Sequence, residues 1–249
     1  MKNKNLLITG GSTRIGKEIA LYFSKKGWNI AIHYFNSKSE ANVLKKIVEK
    51  NKVKAILIKA DLKNRKQVEN IFSLAKKELG KIDCLINNAA LFEKDDILNF
   101  TSKNWNDHLN INLLAPAILI KNFAKQAPKK TSSNIINIID QRVFKLTPIF
   151  MSYTLSKSAL YTLTKTMAMR LGPNIKVNGI APGPTIKSKR QSTKHFNKQA
   201  GSTLLKKPVG LKDICDTVEF LIKNHSITGE VIAVDSGQNL TWNINNDKE

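Results

Sequence analysis

Short runs rich in β-branched and other apolar residues alternate along this chain with amphipathic stretches of helical length, and no other feature constrains its fold as tightly. A strand covered on both faces reads as a continuous apolar run, and linking two such strands in parallel takes a crossover of a dozen or more residues. The expected strands are Leu6 to Thr9, Asn29 to Tyr34, Lys54 to Ile58, Ile82 to Asn87, Asn134 to Ile139, Lys176 to Ile180 and Glu230 to Val234. Helices are expected over Ile15 to Lys26, Ser39 to Lys50, Arg65 to Leu79, Ser102 to Ala127, Tyr153 to Leu171 and Lys212 to Lys223. Right-handed crossovers assemble these into an α/β architecture, a doubly wound, seven-stranded parallel sheet flanked by helices.

The chain has 249 residues, with neither an internal repeat nor a Pro/Gly/Ser-rich linker, so residues 1–249 are expected to form a single domain. One long irregular stretch runs from Pro182 to Gly210; a segment of that length is commonly a functional lid, assigned here to 183–210. The polar residues 243–249 are expected to fray. Lysine and arginine outnumber aspartate and glutamate 41 to 19, a formal net charge of +22. Clustered cations would suggest a polyanionic partner. Here the lysines are spread along the whole chain, so no nucleic-acid partner is expected, and the densest basic stretch, Lys187 to Lys207, suits a solvated lid facing substrate. Cys84 and Cys215 sit in no CxxC pair and in no ligand-spaced cluster with histidine, so neither a disulfide framework nor a metal site is expected. A strand begins within the first few residues and no apolar run reaches membrane-spanning length; no signal peptide, no membrane partner and a cytoplasmic location are expected.

The first strand runs into Thr9-Gly10-Gly11-Ser12-Thr13-Arg14-Ile15-Gly16 and then a helix. Glycines in that context allow a tight turn and bring backbone N–H groups close to a pyrophosphate at a helix N-terminus. Gly10, Thr13, Arg14, Ile15 and Gly16 are therefore candidate cofactor-binding residues. An acid about twenty residues further on would bind the NAD ribose and repel the extra phosphate of NADP. None is present before Glu40, and the second strand ends His33-Tyr34-Phe35-Asn36-Ser37-Lys38. Tyr34, Asn36, Ser37 and Lys38 are candidates around that ribose, the last three able to bind a 2′-phosphate, so NADPH is the expected cofactor.

Tyr153 and Lys157 lie four residues apart at the start of an expected helix, on one face. An ammonium beside a phenol favours phenolate, bringing tyrosine toward the range of a general acid or base. Asp61-Leu62 follows the third strand, Asn87-Asn88-Ala89-Ala90 the fourth and Pro182-Gly183 the sixth, with Asn112 in a long helix. In this order, over essentially the whole chain, these features resemble the short-chain dehydrogenase/reductase family, whose fold is of the Rossmann type. The resemblance implies that Asp61 and Leu62 flank adenine, that Asn88 and Ala89 line the cofactor, and that Lys157 also holds the nicotinamide ribose. It further implies that Asn112 supports a proton-relay water, that Pro182, Gly183 and Thr185 lie at the nicotinamide, and that the protein is a homotetramer packed through the Ser102 to Ala127 and Tyr153 to Leu171 helices.

Two departures narrow the resemblance: Arg14 replaces the middle glycine of the family's TGxxxGxG turn, and Asp140 replaces the serine expected thirteen residues before Tyr153. Together with His33-Tyr34 and Phe92, these features resemble the pteridine reductases and the related dihydromonapterin reductases. That subgroup implies a flat pterin or folate stacked on Phe92, with Asp140 and Tyr153 at its reacting edge and Arg14 near both substrate and phosphates. Each residue has a plainer reading: Phe92 as a core aromatic, Asp140 as a loop cap or an ion-pair partner of Arg142. Asn36 also stands where the subgroup has a basic residue, which leaves either Lys38 to take its place or a weaker hold on the 2′-phosphate. The expected activity is hydride transfer from NADPH to a C=N bond of a dihydropterin. The alternatives are a carbonyl reductase, such as a 3-oxoacyl-thioester reductase, and a binding protein that senses NADPH without turnover.

Overall fold

The computed structural model describes residues 4–126, 133–188 and 190–241. The tail at 243–249, the helix end at Ala127 and Lys189 of the basic stretch lie outside the described residues. Among the described residues seven strands, β1 (Asn5–Ile8), β2 (Asn29–Tyr34), β3 (Ala55–Lys59), β4 (Cys84–Asn87), β5 (Ser133–Ile138), β6 (Ile175–Pro182) and β7 (Val231–Val234), form one sheet in the order β3-β2-β1-β4-β5-β6-β7. Every pairing is parallel. The helices are α1 (Arg14–Lys25), α2 (Lys38–Glu49), α3 (Arg65–Leu79), α4 (Ser102–Leu109), α5 (Ala115–Gln126), α6 (Met151–Leu171), α7 (Thr193–Gly201) and α8 (Leu211–Lys223). Strand order reverses between β1 and β4, and in such a sheet the crevice for a ligand opens beyond the strands' carboxyl ends at that point.

Alternation along each strand divides the core between two layers. Leu6, Ile8, Ile30, Ile32, Ile86 and Ile136 pack with Ile19 and Phe23 of α1 and Val218 of α8. Leu7, Ala31, Leu85, Ile135 and Val177 pack on the opposite face with Ile71 of α3 and Phe123 of α5. Cys84 and Cys215 are buried in the first layer as small apolar side chains.

The structure departs from the sequence-based expectation in two places. The helix expected from Ser102 to Ala127 is divided by a π-helical turn over Asn110–Leu114. Pro116 accounts for the break: it has no N–H to donate, and its ring would meet the carbonyl four residues earlier in an unbroken α-helix. The wider turn removes that clash and places Asn112 facing inward, fully buried. The segment after β6 is also not irregular throughout, since it carries α7, whose Ser192 Oγ accepts the His195 N–H at 3.1 Å as an N-cap.

Lys176 on β6 is buried, and its ammonium donates to the carbonyls of Leu221 (2.9 Å), Ile222 (3.2 Å) and Asn224 at the end of α8. Those oxygens have no partner within the helix and sit at the negative end of its dipole. Lys176→Met keeps the apolar stem and removes the charge. We expect a loss of about 2–3 kcal/mol of stability, read as a lower urea midpoint, with little change in turnover.

Candidate active site

The turn Thr9–Thr13 lies at the carboxyl edge of the sheet, between β1 and α1. Gly10 has φ +59°, and a Cβ there would lie 3.0 Å from Ala89 Cα; at Gly16 it would lie 2.3 Å from Gly10 O. Side chains at either position would force the turn away from the end of β4. Asn88 Nδ2 donates to the carbonyls of Thr9 (2.9 Å) and Gly10 (3.0 Å), while Thr9 Oγ1 accepts the N–H groups of Asn88 and Ala89, each at 3.0 Å. Gly10 N–H donates to His33 Nδ1 at 3.1 Å, so the ring proton sits on Nε2, 3.1 Å from Ala60 O. Burial pushes the His33 imidazole down to about 4, and the ring stays neutral as a strut between turn, β2 and β3. The sequence reading gave His33 no such role.

Arg14 has φ +54°, in the left-handed region where glycine is free of strain, which explains why glycine suits this position in the commoner motif. Its guanidinium donates to Ile186 O (2.8 Å) and Lys187 O (2.9 Å), tying the turn to the segment after β6. The first turn of α1 contains no acid, so its unpaired N–H groups present a positive end to an anion. At the end of β2, Ser12 Oγ and Ser37 Oγ are 2.6 Å apart, beside exposed Asn36 and Lys38.

Beyond this turn a cleft of about 390 Å³ opens at the carboxyl ends of the central strands. It brings together Gly10, Thr13, Arg14, Ile15, Gly16, Asn88, Ala89, Phe92, Asp140, Tyr153, Lys157, Pro182, Gly183 and Thr185 of the sequence-derived candidates. Tyr34, Asn36, Ser37, Lys38, Asp61 and Leu62 are not in its lining; Tyr34 ends β2 and the others follow the ends of β2 and β3. Gly183 passes so close to β7 that a Cβ there would lie 2.7 Å from Asp235 Cα.

Asp140 follows β5 and caps a short 3₁₀ turn, Gln141–Val143, with Oδ1 accepting the Arg142 N–H at 2.9 Å. Arg142 Nη1 lies 3.8 Å from the same oxygen, while Oδ2 accepts the Tyr153 hydroxyl at 2.7 Å. Loop cap, ion-pair partner and site residue are thus one and the same carboxylate. Tyr153 and Lys157 project together from α6, and Lys157 Nζ donates to Ile138 O at 2.8 Å. The phenol is held well above its ordinary value, first by burial, then by the charge and hydrogen bond of Asp140, with Arg142 opposing. Lys157 alone would bring Tyr153 down toward neutrality; burial first, and Asp140 after it, outweigh that effect. Burial pushes the Lys157 ammonium down to about 8, with Asp140 opposing.

Phe92 lines the cleft and is packed as well. Its ring stacks on Phe150 with centroids 4.4 Å apart and planes at 11°, and meets Tyr153 edge-on at 4.6 Å. The Arg142 guanidinium lies 5.3 Å from the Phe92 centroid and 5.0 Å from that of Phe150. Asn112 stands behind the cleft: Oδ1 accepts the Leu91 N–H at 2.8 Å, and Nδ2 donates to Leu91 O and Ser156 Oγ, each at 3.0 Å. Sequence reasoning missed Gln141, Gln191, Phe196 and Gln199 in the lining and gave Arg142 only as an ion-pair partner. Their signals were adjacency to Asp140 for Gln141 and Arg142, and the Ser192 N-cap for Gln191 just before it and for Phe196 and Gln199 of α7.

The glycine cradle, the acid-free start of α1 and the long cleft fit a dinucleotide. A family model described as enoyl-(acyl carrier protein) reductase matches residues 11–239. The crystal structure of FolM alternative dihydrofolate reductase 1 from Brucella canis, complexed with NADP, is 37% identical, with 100% of this chain and 99% of that one covered and a TM-score of 0.92. The same enzyme from Brucella suis, also with NADP, is 39% identical, with 97% of each chain covered and a TM-score of 0.94. A 3-oxoacyl-[acyl-carrier-protein] reductase from Staphylococcus epidermidis is 28% identical over 244 residues, 94% of this chain and 98% of that protein. With the sheet order, the Tyr153–Lys157 pair and matches of this extent, the chain is a member of the short-chain dehydrogenase/reductase family.

Proposed function

We propose that this oxidoreductase uses NADPH to reduce a C=N bond in a dihydropterin or dihydrofolate. The observation that carries the proposal is the 2.7 Å hydrogen bond from the Tyr153 hydroxyl to Asp140, which puts an acceptor-only group where a carbonyl oxygen needs a donor. The nicotinamide supplies the hydride for the ring carbon. The chain's residues do the rest. Tyr153, held as a phenol, delivers a proton to the ring nitrogen. Asp140 accepts from an N–H or amino group of the same ring and so orients it. Lys157 and Asn88 position the cofactor, Asn112 supports a relay water, and Phe92 offers ring contact from the cleft wall. The segment 183–210 acts as the lid of a single catalytic domain. Similarity to the Brucella dihydrofolate reductases supports this reading, and a groove between α5 and α6, lined by Ile120, Leu163 and Met167 together with Lys121, Lys125 and Arg170, supports assembly through these helices, as in a homotetramer.

Similarity to the Staphylococcus epidermidis enzyme favours a second reading, reduction of a 3-oxoacyl thioester. NADPH oxidation by the purified protein, measured in parallel with dihydrobiopterin, dihydromonapterin, dihydrofolate and an acetoacetyl thioester, separates the two. We expect turnover of at least one pterin and little of the thioester; the reverse overturns the assignment. NADPH is expected to bind at least about tenfold tighter than NADH, worth ~1.4 kcal/mol, because Ser37 and Lys38 meet the 2′-phosphate and none of residues 35–38, directly after β2, is an acid that would repel it. Fluorescence titration with both cofactors checks this, and equal dissociation constants refute it.

A further inference from the structure

Behind the reacting pair three buried polar side chains from three elements form one chain. Asp95, in the loop after β4, is 1% exposed; Ser152, in the first turn of α6, 1%; and His108, on α4, 0%. His108 Nε2 accepts the Glu93 N–H at 3.1 Å, so Nδ1 carries the ring proton and donates to Ser152 Oγ at 2.6 Å. Ser152 Oγ in turn donates to Asp95 Oδ2. Asp95 also receives three main-chain donors at the start of α6: Phe150 N–H (2.8 Å) and Met151 N–H (3.3 Å) on its carbonyl, and Ser152 N–H (3.1 Å) on Oδ1.

Those donors lack a local cap. The residue before α6 is Phe150, which has no capping side chain and sits at φ +61°. Asp95, far off in the sequence, therefore does with its main-chain carbonyl and its carboxylate together what an N-cap serine or aspartate normally does from the adjacent position. Tyr153 is the next residue, and Lys157 lies one turn further on. The same contact sets the aromatic wall, because Phe150 stacks on Phe92 and Phe92 meets Tyr153.

We propose that Asp95, Ser152 and His108 are positioning residues for the reaction: the chain fixes where α6 begins, and hence the place of the Tyr153 hydroxyl, and neutral His108 anchors it to the Glu93 N–H. The inference rests on Tyr153 and Lys157 being the reacting pair. Protonated His108 would turn an N–H toward the Glu93 N–H and lose that bond. Tyr153, whose ring meets the imidazole edge-on with centroids 6.0 Å apart, and the charged Glu93, Asp95, Asp107 and Arg190 are the titratable and charged groups that face His108. Burial holds its imidazole below the ordinary 6.5, with Asp95, Glu93 and Asp107 opposing and Arg190 adding to the shift. Turnover is therefore present above that lowered value and falls as pH drops through it.

The test compares wild type, Ser152→Ala and His108→Asn, whose amide can donate to Ser152 but cannot titrate. NADPH oxidation with dihydrobiopterin is followed from about pH 5 to 8. NADPH affinity by fluorescence and hydrogen exchange of the peptide spanning 150–157 are measured alongside. We expect the wild-type kcat to fall on the acid side, His108→Asn to flatten that limb, and Ser152→Ala to lower kcat about tenfold with NADPH affinity retained. An acid limb identical in His108→Asn and wild type, or a Ser152→Ala kcat equal to wild type, overturns the proposal. If wild type turns over none of dihydrobiopterin, dihydromonapterin and dihydrofolate, the assigned reaction fails instead. Hydrogen exchange then decides the positioning role: faster exchange at 150–157 in Ser152→Ala supports it, and unchanged exchange overturns it.

Discussion

Tyr153→Phe is expected to lower turnover about 10²- to 10⁴-fold while leaving NADPH affinity nearly unchanged. The substitution keeps the ring, and with it the edge contact to Phe92 at 4.6 Å, and removes only the hydroxyl that Asp140 accepts at 2.7 Å. Burial and Asp140 together hold that hydroxyl well above its ordinary value, so near neutrality it is a phenol with a proton to give, the form a reductase needs. Lys157 sets the other limit. Its ammonium is pushed down to about 8, so in the absence of cofactor its positive charge is present below that value and lost as pH rises through it. Cofactor affinity should therefore weaken on the alkaline side in both wild type and Tyr153→Phe, whereas the loss in kcat should persist across the whole range. Single-turnover NADPH oxidation with a dihydropterin, with dissociation constants measured at the same pH values, separates the two effects. Comparable rates in variant and wild type would remove Tyr153 from the proton-donor role.

Much of the fold was legible in the sequence because it is written in periodicity. Each strand carries its own apolar run, and the glycines of the first turn sit where backbone segments nearly touch. Features set by a single residue against its three-dimensional surroundings were harder to read. Pro116 was visible in the sequence, but an amphipathic pattern carried the expected helix straight across it, and the π-helical turn that presents Asn112 went unforeseen. The segment after β6 lacked strong hydrophobic periodicity, so α7 was missed despite its Ser192 cap. Arg14 was noticed as a departure, yet its left-handed backbone and its bonds to Ile186 and Lys187 depend on where another segment passes. The same holds for the Tyr153 hydroxyl. Spacing places Lys157 beside it, but burial and Asp140 decide which way its affinity for a proton moves.

Asp140→Ser is expected to change the substrate class, lowering kcat/KM for a dihydropterin by about 10²-fold while activity on a simple ketone holds or rises. A serine hydroxyl both donates and accepts, so beside Tyr153 it can steady a developing oxyanion; a carboxylate can only accept. In the present site the carboxylate is engaged on two sides, by the Arg142 N–H on Oδ1 at 2.9 Å and by Tyr153 on Oδ2 at 2.7 Å. An amino or N–H group of a bound ring would complete that set, whereas a ketone oxygen would meet negative charge. Losing the carboxylate also removes the charge and hydrogen bond that help hold the Tyr153 phenol high, so Tyr153 should ionise more readily in the variant. The 3.8 Å ion pair between Asp140 and Arg142 would be lost as well, which should appear as a modest fall in thermal midpoint. Comparing kcat/KM for a dihydropterin and a ketone in both proteins, with NADPH affinity as the control, distinguishes a chemical role from a structural one. A ratio of the two activities that stays constant would make Asp140 a loop cap and leave the pterin assignment without its main support, whereas a ratio that swings toward the ketone ties the substrate to the one carboxylate that touches Tyr153.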